Sequence, residues 1–264
     1  MLKKSSVLWT IAIILTLVFI IYQRKTGPTN PVKGEKQING SVISYKFLRS
    51  YTIGKDVPIK ISSTDQNLYI YFMHKRLMSD DDWSAKIPMK YNNGVYTGML
   101  PALDEMAGKR VYKIFVNGEM ITDDAIVIRF KGDVPAYVLI PHIVLMFIAM
   151  LFSTRAGLEA FFRNQRTYRY TLITTFSLLV GGIILGPIVQ KFAFDAYWTG
   201  WPFGHDLTDN KTLAAMICWA IAWWKVRQNP THKTWVIIAF AVLTIVYLIP
   251  HSVLGSEFDY SQME

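Results

Sequence analysis

Five residues able to do polar chemistry fall within seven positions of this chain: an imidazole, two carboxylates, a carboxamide and an ammonium. They lie in the segment Gly200-Trp201-Pro202-Phe203-Gly204-His205-Asp206-Leu207-Thr208-Asp209-Asn210-Lys211. On a helix His205 and Asp209 stand four apart and share a face, as do Asp206 and Asn210, so a carboxylate there can orient the histidine. The same residues also suit a helix start. Asp206, Thr208 or Asp209 can accept from the free N–H groups of a first turn, with Lys211 reaching to an interface. Capping needs one such residue, and this run offers several.

Two further histidines follow prolines, in Pro141-His142 and Pro250-His251, and proline frees a backbone carbonyl that can line a cavity or bind an ion. Imidazoles beside carboxylates suit zinc, copper or non-haem iron, and two imidazoles from different helices can ligate haem axially. The metal-ligand candidates are therefore His142, His205 and His251, with Asp206, Asp209, Asn210, Lys211 and Glu257 as a supporting polar cluster. A lone histidine in a helix more often packs than ligates. No H-E-x-x-H, C-x-x-C-H or G-x-S-x-G pattern is present, so no catalytic residue is named, the cofactor stays unknown, and enzymatic activity is left open.

What positions these residues is a membrane domain. Of 264 residues, 52% are hydrophobic, and the apolar runs are long enough to be read as spans. The net charge of +9 is dispersed between those runs, where it reports orientation rather than nucleic-acid binding. Five spans are expected: Ser6 to Tyr22, Val134 to Thr154, Tyr170 to Gln190, a short fourth from Thr212 to Trp224, and Thr234 to Leu254. The first has no small-x-small cleavage site after it and reads as a retained signal anchor. For the fourth to cross, counting back from Trp224 brings its start to about His205.

Arg155, Arg163, Arg166 and Arg169 join spans two and three, and Lys225, Arg227 and Lys233 join spans four and five. The positive-inside rule makes both loops cytoplasmic, which puts the N-terminus inside and the region from Gln23 to Asp133, the 191–211 loop and the acidic C-terminal tail outside. Arg24 and Lys25 disagree with this direction. All three candidate ligands then fall in the outer half of the membrane, His142 ~12 Å below the start of its span at 1.5 Å per residue.

Several minor features read as structural. Glu159 with Arg155 and Arg163 makes i,i+4 pairs on a solvated helix extension. Gly181-Gly182 and Gly186-Pro187 permit close packing or a kink. Trp198, Trp201, Trp219, Trp223 and Trp224 suit interfacial belts. The single cysteine, Cys218, excludes an intramolecular disulfide.

Between the first two spans the pattern changes. A linker over 26–38 precedes short β-forming runs at Val57 to Ile61, Leu68 to Phe72, Ala85 to Tyr91, Val95 to Met99, Val111 to Val116 and Ala125 to Phe130, with Asn92-Asn93-Gly94 as a hairpin turn. Six or seven such strands favour a β-sandwich over 39–133. Asp80-Asp81-Asp82 reads as a solvated turn and His74 as a surface or strand histidine. The fold class expected is thus membrane α-helical with an all-β, sandwich-like extracytoplasmic domain. It comprises an anchor (1–25), the linker, that domain, four helices (134–256) and an acidic tail (257–264).

Through Trp83, Gly94-Val95-Tyr96 and Arg110-Val111-Tyr112-Lys113-Ile114, the β-rich segment resembles immunoglobulin-like or fibronectin type III-like domains, which implies recognition or spacing. The motifs Val138-Leu139-Ile140-Pro141-His142, Gly186-Pro187-Ile188-Val189-Gln190-Lys191, the Pro202 to Lys211 run and Ile249-Pro250-His251-Ser252 resemble a family of uncharacterised bacterial inner-membrane proteins. That resemblance implies an inner-membrane location with a periplasmic domain, and carries no activity. The leading expectation is an accessory protein whose helices hold a metal or haem at the periplasmic face and whose β-domain contacts membrane or periplasmic proteins. The alternatives are a non-enzymatic scaffold or transporter subunit with a structural polar cluster, and a metal-dependent membrane hydrolase.

Overall fold

The computed structural model describes residues 4–38, 40–250 and 258–262. The chain divides into two compact units, one of Met1–Pro28 with Val134–Gly255 and the other of Thr29–Asp133 with Ser256–Glu264.

The first unit is helical: α1 (Ser5–Thr26), α2 (Ala136–Phe162), α3 (Thr167–Leu178), a π-helical stretch (Leu179–Leu185), α4 (Gly186–Phe194), α5 (Leu207–Gln228) and α6 (Thr234–Leu248). Three helices are long and apolar enough to cross a membrane: α1, α2, and the continuous helix Thr167–Phe194. Its interior is built from small residues. Ala149, Ala156, Ala160, Ala215, Ala222 and Ala239 are buried around Met150, Trp219 and Leu243, and side chains this small let helix backbones approach closely. Trp219 is fully buried, whereas Trp201 and Trp224 are 69% and 52% exposed. Trp219 is therefore a core residue, not one of an interfacial belt.

The second unit contains two sheets. One has the order β1 (Val32–Ile38), β2 (Ser41–Phe47), β4 (Val57–Ser63), β8 (Val95–Leu100), β7 (Lys90–Asn92). The other runs β3 (Ser50–Thr52), β11 (Ile126–Lys131), β9 (Lys109–Val116), β5 (Ile70–Arg76), β6 (Ile87–Pro88), with β10 (Glu119–Met120) paired to β9. All pairings are antiparallel except β3 with β11. Alternation decides which face turns inward. On β4, Val57, Ile59, Ile61 and Ser63 are buried while Lys60 and Ser62 are exposed. One hydrophobic cluster takes Ile43, Phe47 and Ile61 from the first sheet and Phe72, Ile114, Ile128 and Phe130 from the second. Gly98 is required in that cluster, because a Cβ there would stand 2.7 Å from the Phe72 ring. The β7–β8 hairpin turns at Asn93 and Gly94, both with positive φ, as the tight turn demands.

The structure differs from the sequence expectation at both ends of this unit. Strand β1 occupies most of the stretch read as a linker, and β2 and β3 were not foreseen. At the other end Phe258 and Tyr260, read as part of an acidic tail, join the hydrophobic cluster. Tyr260 donates its N–H to the Met78 carbonyl at 3.0 Å, and the Arg76 guanidinium lies 4.8 Å from its ring. Arg76 is also paired with Asp81 at 2.7 Å, so the Asp80 to Asp82 turn is tied down.

Lys109 stands opposite Arg129 in the β9–β11 ladder. Burial, then the Arg129 charge, lowers its pKa from 10.5 to about 8. The folded state thus disfavours the charged form: the cost is full below about 8 and is relieved as pH rises toward 10.5. Thermal melting followed by β-sheet circular dichroism should therefore show Lys109→Met more stable than the parent at pH 7, with the gap narrowing by about pH 9.5, below the usual tyrosine range. A gap independent of pH would refute this assignment.

Candidate functional site

Helix α5 begins at Leu207, with Asp206 as its cap. The Asp206 Oδ1 accepts from the Thr208 N–H at 2.7 Å and the Asp209 N–H at 3.4 Å. This is the capping alternative, realised. His205 consequently lies before the helix and is exposed, so it does not share a helical face with Asp209 as expected.

Asp209 serves the preceding loop instead. Its Oδ2 accepts from the backbone N–H of Thr199 at 2.7 Å and of Gly200 at 3.0 Å, with the Thr199 Oγ1 at 3.3 Å. Asn210 Oδ1 accepts from the Trp201 N–H at 2.6 Å. Gln190, from α4, donates to the Thr199 hydroxyl at 2.7 Å. Gly200 permits this closeness, since a Cβ there would stand 2.6 Å from the Asp209 Cβ. Asp209, Gln190 and Lys211 are 7%, 9% and 8% exposed, so the cluster is an internal clamp on the 199–204 loop.

Lys211 points the other way along α5. Its Nζ donates to the carbonyls of Ile249 at 2.9 Å and Pro250 at 3.3 Å, at the end of α6, where a cation also complements the helix dipole. Gln23, near the end of α1, donates through Nε2 to the Ile249 carbonyl at 3.0 Å and to that of Tyr247. The carbonyls left over at the end of α6 are thus received by side chains of α1 and α5.

His142 stands apart from these contacts. Its Nδ1 is 2.8 Å from the Gly181 carbonyl oxygen, which can only accept, so Nδ1 carries a proton and donates it there. Gly181 belongs to the π-helical stretch, whose i→i+5 pairing displaces carbonyls from the usual ladder. A Cβ on Gly181 would also stand 2.8 Å from the Leu145 Cβ, so of the two readings of the Gly181-Gly182 pair, close packing is the one realised here. His251 and Glu257 lie outside the described residues. Among the described residues no group of three or more His, Cys, Asp and Glu side chains is placed to hold a metal ion.

A second polar cluster was misread from sequence. Arg155 and Glu159, expected on a solvated face, are 0% and 1% exposed and form an ion pair of 2.6 Å. Helices α1 and α3 cover them: the Arg155 guanidinium lies 5.4 Å from the Trp9 ring and 4.6 Å from the Tyr170 ring, and its Nη2 donates to the Ser5 hydroxyl at 3.3 Å. The Glu159 Oε1 accepts from the Gln165 and Arg166 N–H groups, both at 3.1 Å, closing the turn into α3. Arg155 Nε and Nη1 have no hydrogen-bond partner among the described residues. An i,i+4 charge pair fits either a wet or a dry helix face, and the ring that covers this one, Trp9, lies on another helix far off in sequence.

Two expectations on detergent-solubilised protein follow from these contacts. Asp209→Ala removes the acceptor of two backbone donors and should lower unfolding free energy by roughly 3 kcal/mol. Arg155→Leu alone should cost about 3–5 kcal/mol by leaving the buried Glu159 without its 2.6 Å partner, whereas Arg155→Leu with Glu159→Gln, which keeps an oxygen for the Gln165 and Arg166 N–H groups, should recover most of it; equal losses in the single and double variants would contradict a buried pair. In comparison with known proteins, no family model matches the chain and no curated protein matches it.

Proposed function

We propose that this chain is a non-catalytic scaffold or recognition protein of a bacterial inner membrane, with five crossings and a periplasmic domain. The crossings are α1, α2, the α3–α4 helix with its π-helical stretch, α5 and α6. The arginines between α2 and α3 and the basic residues between α5 and α6 favour cytoplasmic loops. The meeting of the α1 end, the α5 start and the α6 end through Gln23 and Lys211 fits that alternation. The two sheets would form a sandwich of immunoglobulin-like or fibronectin type III-like character, facing membrane or periplasmic proteins. The chain would then sit among the inner-membrane proteins that its motifs resemble.

The observation that carries the functional reading is the commitment of the polar cluster to the fold. Asp206, Asp209, Asn210 and Lys211 are bonded to backbone groups of their own chain. Carboxylates so engaged do not orient His205 or serve as a general base, which favours the scaffold over the metal, haem and hydrolase alternatives. Function then resides in the surface of the β-unit.

Two experiments test this. In a Cys218→Ser background, single cysteines replacing Glu119 and Phe203 should react with a membrane-impermeant maleimide on spheroplasts, and those replacing Gln165 and Gln228 only after permeabilisation. The reverse pattern would invert the topology. In the host, Asp209→Asn should affect function only in proportion to its loss of thermal stability; full inactivation of a variant that melts like the parent would end the scaffold reading.

A further inference from the structure

The outward face of the five-stranded sheet carries a row of lysines. Lys33 stands opposite Lys46 in the β1–β2 ladder. The β2–β4 register pairs Ser44 with Ser62 and Tyr45 with Ile61, and continuing it places Lys46 beside Lys60. Lys60 is opposite Thr97, which is opposite Lys90. Four lysines therefore lie in one line across five strands, the first three ~4.8 Å apart from strand to strand.

All four are exposed, and none has an ion-pair or hydrogen-bond partner among the described residues. Like charges opposite one another weaken a sheet, so the fold alone does not account for the row. Glu35 is the one carboxylate that these strands add to the face, and it lines the same shallow depression of ≈ 580 Å³ as Lys33, Lys46, Lys60, Ser44 and Ser62. Apolar side chains flank the row on both sides: Val42 is 58% exposed and Met99 49% exposed. Val42 pairs with Gln37 and Met99 with Pro58, which sets both on the outward side.

We infer that this face docks on a bilayer surface rich in anionic phospholipid headgroups. The chemistry is that of an interfacial surface: cations for phosphates, with apolar side chains beside them that enter the headgroup layer. A lipid surface suits an open face that carries a row of lysines between apolar side chains, and under the proposed topology it is always within reach. Four residues, 132–135, separate β11 from α2, and five, 27–31, separate α1 from β1, so such a surface is presented at high effective concentration. This inference rests on the proposal that the helical unit is embedded in a membrane.

The test uses the full chain in phosphatidylcholine nanodiscs, whose neutral lipid does not compete, floated with vesicles of phosphatidylcholine with or without phosphatidylglycerol. The protein should float with the anionic vesicles alone. Each lysine should contribute roughly fivefold to partitioning, so K33Q/K46Q/K60Q/K90Q should abolish flotation and V42S/M99S should weaken it. K46Q/K60Q serves if the fourfold variant melts early, with roughly a twenty-five-fold loss at the parental melting temperature. Equal flotation of parent and lysine variants, or none by the parent, overturns the inference. Tighter capture of soluble polyglutamate than of vesicles overturns it in favour of an acidic protein partner. Failure to enter nanodiscs at all would strike the membrane proposal instead, which separates the two.

Discussion

The helical unit turns on how one short helix ends. Helix α6 has 15 residues, a rise of ~22 Å. Pro250 cannot donate a backbone N–H, so carbonyls at this end lack helical partners. Where they are shielded from water, each needs a donor from the protein. Lys211 and Gln23 provide those donors and thereby bring α5 and α1 to the same place. The cation that looked like part of a reactive cluster is the residue that closes a helix end.

The other end of the unit meets a similar demand differently. Arg155 and Glu159 are paired in a buried environment, the guanidinium against two aromatic rings that meet edge-on and the carboxylate closing the turn into α3. A buried pair of this kind is weak evidence of stability and better evidence of specificity, because it fixes which faces of α1, α2 and α3 meet. Between the two polar ends the packing is made by alanines and glycines; Gly157 accepts the Phe240 ring at 2.5 Å from where a Cβ would be.

Most of the helical layout was legible because apolar runs interrupted by basic loops are a strong pattern. The start of α5 at Leu207 lies two residues from the expected His205, but the helix runs past Trp224 to Gln228. What escaped depended on partners distant in sequence. Asp209 could be read as a cap, a base or a ligand-orienting group until Thr199 and Gly200 were seen beside it. Arg155 looked wet until Trp9 covered it, and Trp219 looked interfacial though it is packed among Ala215 and Ala222. In the β-unit, β4, β8 and β9 followed from alternation. By contrast β1, with Lys33, Glu35, Lys36 and Gln37 at an edge, has almost no apolar periodicity and only its pairing with β2 makes it a strand.

The C-terminal segment has a consequence for how the molecule is made. Phe258 and Tyr260 complete a hydrophobic core whose other members were all synthesised before α2. The β-unit therefore cannot reach its final packing while the ribosome is still delivering the helices. Its maturation waits until α6 has been made, so a chain stalled or truncated before Phe258 displays an unfinished domain, open to proteolysis.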